Sequence, residues 1–172
     1  MNFPPNRDKG ALYPPFAKIL DQLESLLADV KLPYFMFEGF RSFERQEYLY
    51  SLGRTAPGKI VTNAKPGQSL HFYGLAADFV PDGCPEKPGI QWSWQEPIDL
   101  NADGFNDWKQ FADLARGLGL DAGFYWPKFT DPPHVQMHCG LDWRLAKELR
   151  EEGGLTRVWM YADEWLMDAT WP

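Results

Sequence analysis

Three histidines and two cysteines in 172 residues leave little material for metal or redox chemistry, so a site built from them must use most of what is available. Cys84 and Cys139 are too few for a disulfide framework and lack zinc-finger spacing. A single bridge between them is disfavoured in a chain made in the cytosol. Positive charge is also scarce. Seventeen Lys and Arg face 24 Asp and Glu, and the net charge of −7 argues against a protein held on nucleic acid by phosphate neutralisation. No run approaches the ~18 apolar residues of a membrane span. The opening Met-Asn-Phe-Pro-Pro-Asn-Arg-Asp-Lys-Gly has no hydrophobic stretch behind its charges, so cytoplasmic synthesis without a secretory signal is expected. Aromatic residues, by contrast, make up 16% of the chain and include eight tryptophans, which suits either a stacked core or a sugar- or peptide-binding cleft. The length predicts one domain, or one domain with a modest appendage.

An extended arm with Pro4, Pro5, Pro14 and Pro15 should lead into a helix over 16–30, where Phe16, Ile19, Leu20, Leu23, Leu26 and Leu27 form one stripe. A short strand follows over 34–40, then a helix capped by Ser42 and closed by Gly53. Residues 75–80 read as a buried strand stopped by Pro81-Asp82-Gly83. The long connection over 81–104, with Trp92 and Trp94, is either a lid or a surface hairpin packed by its own tryptophans. A helix over 105–118 should turn Phe105, Trp108, Phe111, Ala112 and Ala115 inward, and 135–139 should be a strand. The tail from Leu141 breaks at Gly153-Gly154 into two helical patterns.

Two of the three histidines sit in contexts with chemical content. In Ser69-Leu70-His71-Phe72-Tyr73-Gly74-Leu75-Ala76-Ala77-Asp78, the strand period puts Ala76 and Asp78 on one face, and Gly74 allows a turn that returns His71 beside Asp78. A histidine and a carboxylate converging in this way supply two of the three ligands of a catalytic zinc site. In Asp131-Pro132-Pro133-His134, a polyproline-like turn would project Asp131 and His134 to the same side. His134 is then a third ligand and Asp131 a general base one water away. Either half alone is a common accident. Together they describe a metallopeptidase.

The same residues resemble the zinc peptidoglycan peptidases, the family of D-alanyl-D-alanine carboxypeptidases and L-alanyl-D-glutamate endopeptidases that includes phage endolysins. Its signature S-x-H-x-x-G-x-A-x-D is met by Ser69, His71, Gly74, Ala76 and Asp78. Gly39, Arg41, Ser42 and Gln46 resemble its G-x-R-S-x-x-x-Q segment, and Val61 to Gly67 its loop before the first ligand. Trp126, Phe129, Asp131, Pro133 and His134 resemble its W-x-x-F-x-D-x-P-H stretch. The likeness spans about residues 12–140. It departs at Ala122-Gly123-Phe124, where the family often has W-G-G, and at Val135 and Gln136, where it often has an aromatic and an acid. His138 is expected on the strand face shared with His134 and Gln136.

The resemblance implies an α+β fold of the Hedgehog/D-Ala-D-Ala peptidase type, a small antiparallel sheet flanked by helices with zinc in the cleft. It implies one Zn²⁺ on His71, Asp78 and His134, with Asp131 as base and Arg41 holding the scissile carbonyl. Ser69 and Gln46 would contact substrate or simply brace loops. The D-x-x-H spacing favours the L-alanyl-D-glutamate endopeptidase over the E-x-x-H dipeptidases. A D-alanyl-D-alanine carboxypeptidase and a non-catalytic zinc-containing wall-binding module stand as alternatives. The partner is the peptidoglycan stem peptide, with no nucleic acid and no membrane insertion. A wall-acting enzyme without a signal would reach its substrate through a holin-type pore, as in phage lysis. Residues 1–140 form the expected peptidase domain. Residues 141–172 form a helical extension, whose stripe of Leu155, Val158, Trp159, Ala162, Trp165, Leu166 and Ala169 packs on that domain away from the zinc or closes a homodimer.

Overall fold

The computed structural model describes residues 3–84, 87–90 and 98–168. They comprise helices α1 (Pro14–Asp29), α2 (Phe43–Ser51), α3 (Asp107–Gly117) and α4 (Trp143–Asp168). The strands are β1 (Tyr34–Glu38), β2 (Ala76–Cys84), β3 (Lys87–Ile90), β4 (Leu120–Ala122) and β5 (His134–Met137). The chain divides into two compact units, one of residues 14–38 and 77–137, the other of residues 1–13, 39–76 and 138–172.

The first unit holds the sheet, ordered β1-β2-β5-β4, with β3 added to β2. The pairs β1–β2, β2–β3 and β4–β5 are antiparallel. A bulge between Met36 and Glu38 sets Glu38 opposite Asp78 and so bends β1 beside the residue of greatest interest. Helix α1 buries Phe16, Leu20, Leu23 and Leu27, the 4-3-4 spacing of a single stripe. Helix α3 starts at the Asn106 cap, whose side chain accepts the Trp108 and Lys109 N–H groups, and it buries Trp108, Phe111, Ala112 and Ala115. Tyr34 stacks on Phe111 at 5.4 Å and meets the Trp108 edge at 5.1 Å, while Phe79 lies 5.4 Å from Phe111. Part of the aromatic excess is therefore core.

Two local expectations need correction. Phe105 is 67% exposed because α3 starts two residues later than its apolar pattern suggests. Pro81-Asp82-Gly83 does not stop β2, which continues to Cys84 by pairing Asp82 with Ile90 and Cys84 with Lys87. Pro81 stands opposite Tyr34 of β1, and the strand runs on because the next residue carries the ladder, with the Asp82 N–H donating to the Pro33 carbonyl at 2.6 Å. The start of the long connection is thus a hairpin, and Trp92 and Trp94 lie outside the described residues. Strand β4, only three residues long, carries too little pattern to be read in advance.

The second unit is built around the 3₁₀ turn Leu70–Tyr73, which ends at Gly74 with φ +72°. A side chain there would be strained and would crowd the backbone of Ala11, Leu12 and Tyr13 at 3.2–3.3 Å. Helix α4 breaks at Gly153 and Gly154, where φ and ψ leave the helical region. Beyond the break, Val158 and Ala162 are fully buried, and the Trp159 indole donates to the Tyr73 carbonyl at 2.9 Å. Asp163 accepts the Tyr13 hydroxyl, and Arg150 donates to the Phe72 carbonyl while lying 3.7 Å over the Phe72 ring. The tail therefore packs on the turn that carries His71, through the Phe72 and Tyr73 carbonyls. Cys139 is buried. Among the described residues no helix is long and apolar enough to cross a membrane.

Candidate metal centre

His71, Asp78 and His134 each offer one ligand atom, and these atoms lie within 4.8 Å of one another. His71 sits on the 3₁₀ turn, Asp78 on β2 and His134 at the start of β5. Both histidines are buried, while Asp78 is partly open.

The two imidazoles are oriented through opposite nitrogens. His71 Nδ1 lies 2.7 Å from the Gly39 carbonyl, which can only accept, so Nδ1 carries the proton and Nε2 keeps its lone pair. His134 Nε2 lies 3.1 Å from Gln136 Oε1, and its Nδ1 lies 3.2 Å from Asp78 Oδ1. The Gln136 amide is oriented in turn, because its Nε2 donates to Asp121 Oδ2 at 3.1 Å. Asp121 also receives the Trp126 indole N–H at 3.2 Å, and the Trp126 ring lies 5.1 Å from the His134 ring. Asp121 and Gln136 face each other across β4 and β5. This chain fixes the proton on Nε2 and leaves Nδ1 for a ligand, the supporting arrangement usual around metal-bound histidines. Burial works against a charged His134, but the Asp78 carboxylate outweighs it, helped by Asp131 and Gln136, and holds the imidazolium above its ordinary range.

Two imidazole nitrogens and one carboxylate oxygen, with each histidine's second nitrogen satisfied, are a donor set that suits a borderline-soft divalent ion such as zinc. An oxygen-seeking ion such as Mg²⁺ is poorly served by it.

Asp131 is carried on a hydrogen-bonded turn, not on a polyproline helix. The His134 N–H donates to the Asp131 carbonyl at 3.0 Å, closing a hydrogen-bonded turn over the two prolines, whereas a polyproline helix has no internal hydrogen bonds. The Asp131 N–H is tied to the Gly123 carbonyl at 2.9 Å. A Cβ on Gly123 would stand 2.4 Å from the Asp131 carbonyl oxygen, so only glycine permits this approach.

Arg41 is buried, and its Nη1 donates to Gln46 Oε1 at 3.2 Å. Its backbone N–H donates to the His71 carbonyl at 3.1 Å, tying the segment after β1 to the 3₁₀ turn. Gln46 is almost wholly buried and also donates to the Ala64 carbonyl at 2.7 Å. It therefore braces Arg41 and the 62–64 loop. Ser69 sits at the N-cap of the 3₁₀ turn without a capping side-chain bond. His138 is exposed beyond the end of β5, with its ring 5.5 Å from Trp165, and does not continue the strand face of His134.

The family model described as D-alanyl-D-alanine carboxypeptidase matches residues 62–137. The peptidoglycan L-alanyl-D-glutamate endopeptidase CwlK of Bacillus subtilis (strain 168) is 39% identical over 126 residues, 73% of this chain and 73% of its own. The chain belongs to the family of D-alanyl-D-alanine carboxypeptidases and L-alanyl-D-glutamate endopeptidases. Two solved structures are also similar to this member of the family. The Serratia marcescens L-Ala D-Glu endopeptidase ChiX has 21% identity and a TM-score of 0.49, covering 76% of this chain and 83% of its own. The vancomycin-resistance D,D-dipeptidase VanXYg, in complex with a D-Ala-D-Ala phosphinate analogue, has 20% identity and a TM-score of 0.45, with 85% and 57% covered.

Gln136 departs from the family pattern and shares a strand face with His134, and it orients that histidine of the centre. Gln136→Leu removes the acceptor for His134 Nε2–H and the donor to Asp121, and zinc affinity should fall about 10–100-fold. Competition with a chromophoric chelator measures this directly, and an unchanged affinity would take Gln136 out of the supporting chain.

Proposed function

We propose that this chain is a zinc-dependent peptidase that hydrolyses the L-alanyl–D-glutamate bond of the peptidoglycan stem peptide. The reading rests on the convergence of His71, Asp78 and His134, in a chain 39% identical to an endopeptidase with that specificity. His71 through Nε2, Asp78 through a carboxylate oxygen and His134 through Nδ1 would hold the ion. Bound zinc supplies a polarised carbonyl and a water of lowered pKa.

The chain's own residues do the rest. Asp131 takes the proton of the attacking water and returns it to the departing amine. Arg41 directs a planar fork of donors at the carbonyl oxygen as negative charge builds there, and Gln46 holds the plane of that fork. Ser69 lies two residues before His71 and would line the substrate side of the turn. Arg41→Lys keeps the charge but loses the fork. Hydrolysis should fall by about 10–10³-fold with zinc content unchanged, read from initial rates beside elemental analysis. A rate equal to wild type would remove the oxyanion role.

The wall is the site of action under this reading. The second reading is a D-alanyl-D-alanine carboxypeptidase, favoured by the family model that matches residues 62–137. A synthetic muropeptide containing both bonds, digested by the zinc-loaded protein and read by mass, separates the two. Cleavage between L-alanine and D-glutamate is expected. Loss of the terminal D-alanine alone would establish the carboxypeptidase. A folded, zinc-loaded and inactive protein would be a binding module.

A further inference from the structure

The segment leading into α3 carries oxygen donors at a fixed spacing: Asp99, Asn101 and Asp103 at its first, third and fifth positions, Gly104 at the sixth, Asp107 at the ninth and Gln110 at the twelfth. This D-x-N-x-D-G order running into a helix is the spacing of an EF-hand-type calcium loop. The structure folds it accordingly. Ala102 and Gly104 have φ of +57° and +86°, which curl the chain around its own side chains. The Asp99 carboxylate receives the Asp103 and Gly104 N–H groups at 3.0 Å each. Asp103 receives the Phe105 N–H at 2.9 Å and the Gln110 side-chain amide at 2.8 Å, which folds the loop onto the first turn of α3.

A separate observation points to a missing ligand. Asp107 is fully buried, and its side chain turns back into the loop, where Oδ2 accepts the Leu100 N–H at 2.8 Å. Its Oδ1 is also buried and has no hydrogen-bond partner. An ionised carboxylate oxygen left without a donor in such a place is costly unless a cation meets it. Burial pushes the Asp107 carboxyl up to about 6 against the Leu100 hydrogen bond, and the charges of Asp99 and Asp103 add to the rise.

We propose that residues 99–110 bind one Ca²⁺ through the side-chain oxygens of Asp99, Asn101, Asp103 and Asp107 and the Phe105 carbonyl. Calcium fits better than Mg²⁺, because a flexible loop of many oxygens suits the larger ion and fails the strict octahedron of the smaller. Gln110 replaces the bidentate glutamate of tight loops, so the dissociation constant should be on the order of 10⁻⁴–10⁻³ M. Because Asn106 caps α3 and Trp108 lies in the core, the ion would stabilise the sheet-bearing unit. The site shares no residue with His71, Asp78 and His134, so it stands apart from the proposed peptidase activity.

The test titrates CaCl₂ into the full zinc-loaded chain by calorimetry and follows the thermal midpoint, with NaCl at matched ionic strength and MgCl₂ as controls. One Ca²⁺ per chain is expected, with a rise in the midpoint that MgCl₂ does not reproduce. Asp103→Asn should weaken binding at least about 10-fold, and Gln110→Glu, which completes the loop without removing a contacting carboxylate, should tighten it about 10-fold or more. Should Asp103→Asn fail to fold, Gln110→Glu decides alone. No binding by wild type or Gln110→Glu up to about 10 mM, or an affinity that Gln110→Glu leaves unchanged, overturns the proposal.

Discussion

Asp131→Asn is expected to keep the metal and lose the chemistry. The amide matches the carboxylate in size, and the backbone contacts of residue 131 to Gly123 and His134 do not involve the side chain, so the turn should survive. A neutral amide cannot take a proton, and turnover should drop on the order of 10²–10⁴-fold while zinc stays stoichiometric. His71→Ala and His134→Ala should differ in kind, losing metal and activity together because a three-ligand site does not tolerate the loss of one. Elemental analysis beside initial rates on purified peptidoglycan distinguishes the two classes. Near wild-type turnover in Asp131→Asn would remove that residue from the mechanism. Zinc retained in full by both histidine variants would overturn the ligand assignment.

The metal cluster was legible in the sequence because each of its two halves is local, one holding His71 and Asp78 and the other Asp131 and His134. His71 and Asp78 are seven residues apart, with one glycine between them at the only conformation that folds the turn back. The caps and stripes of α1 and α2 were legible for the same reason, since helix signals repeat within a few residues. What the sequence concealed depends on distant pairing. The support for His134 runs through Gln136 to Asp121 and Trp126, and it exists only because β4 lies beside β5 in one register. The alternation of a strand places Gln136 on the face of His134 in the sequence, though not as its hydrogen-bond partner. Asp121 could not be placed, as three residues show no period. Gln46 illustrates a third case: its motif position allows substrate contact or a loop brace, and its buried bonds to Arg41 and to the Ala64 carbonyl are those of a brace. The tail was read correctly as two helices around Gly153-Gly154, while its contact with the turn of His71 is long-range and has no sequence signal.

That contact gives the tail a larger expected effect than an appendage would have. We infer that residues 141–168 buttress the unit that carries His71, so chain termination after Gly153 should destabilise that unit. The truncation removes Val158 and Ala162, both fully buried, from the core. It also strips the Tyr73 carbonyl of the Trp159 indole and the Tyr13 hydroxyl of Asp163. Each lost hydrogen bond is worth about 0.5–1.5 kcal/mol, and the larger cost is the apolar surface that Val158 and Ala162 no longer cover, set against the 5–15 kcal/mol that hold a typical domain together. The expected result is a protein that is largely insoluble or melts far below the parent, and whose zinc affinity falls because Phe72 and Tyr73 flank His71. Trp159→Phe isolates the mechanism at smaller scale: it keeps most of the ring packing, loses the indole donor, and should lower stability by about 1–3 kcal/mol in chemical denaturation. A truncated chain that is equally stable, binds zinc normally and merely stops sedimenting with cell walls would instead make the tail a targeting device.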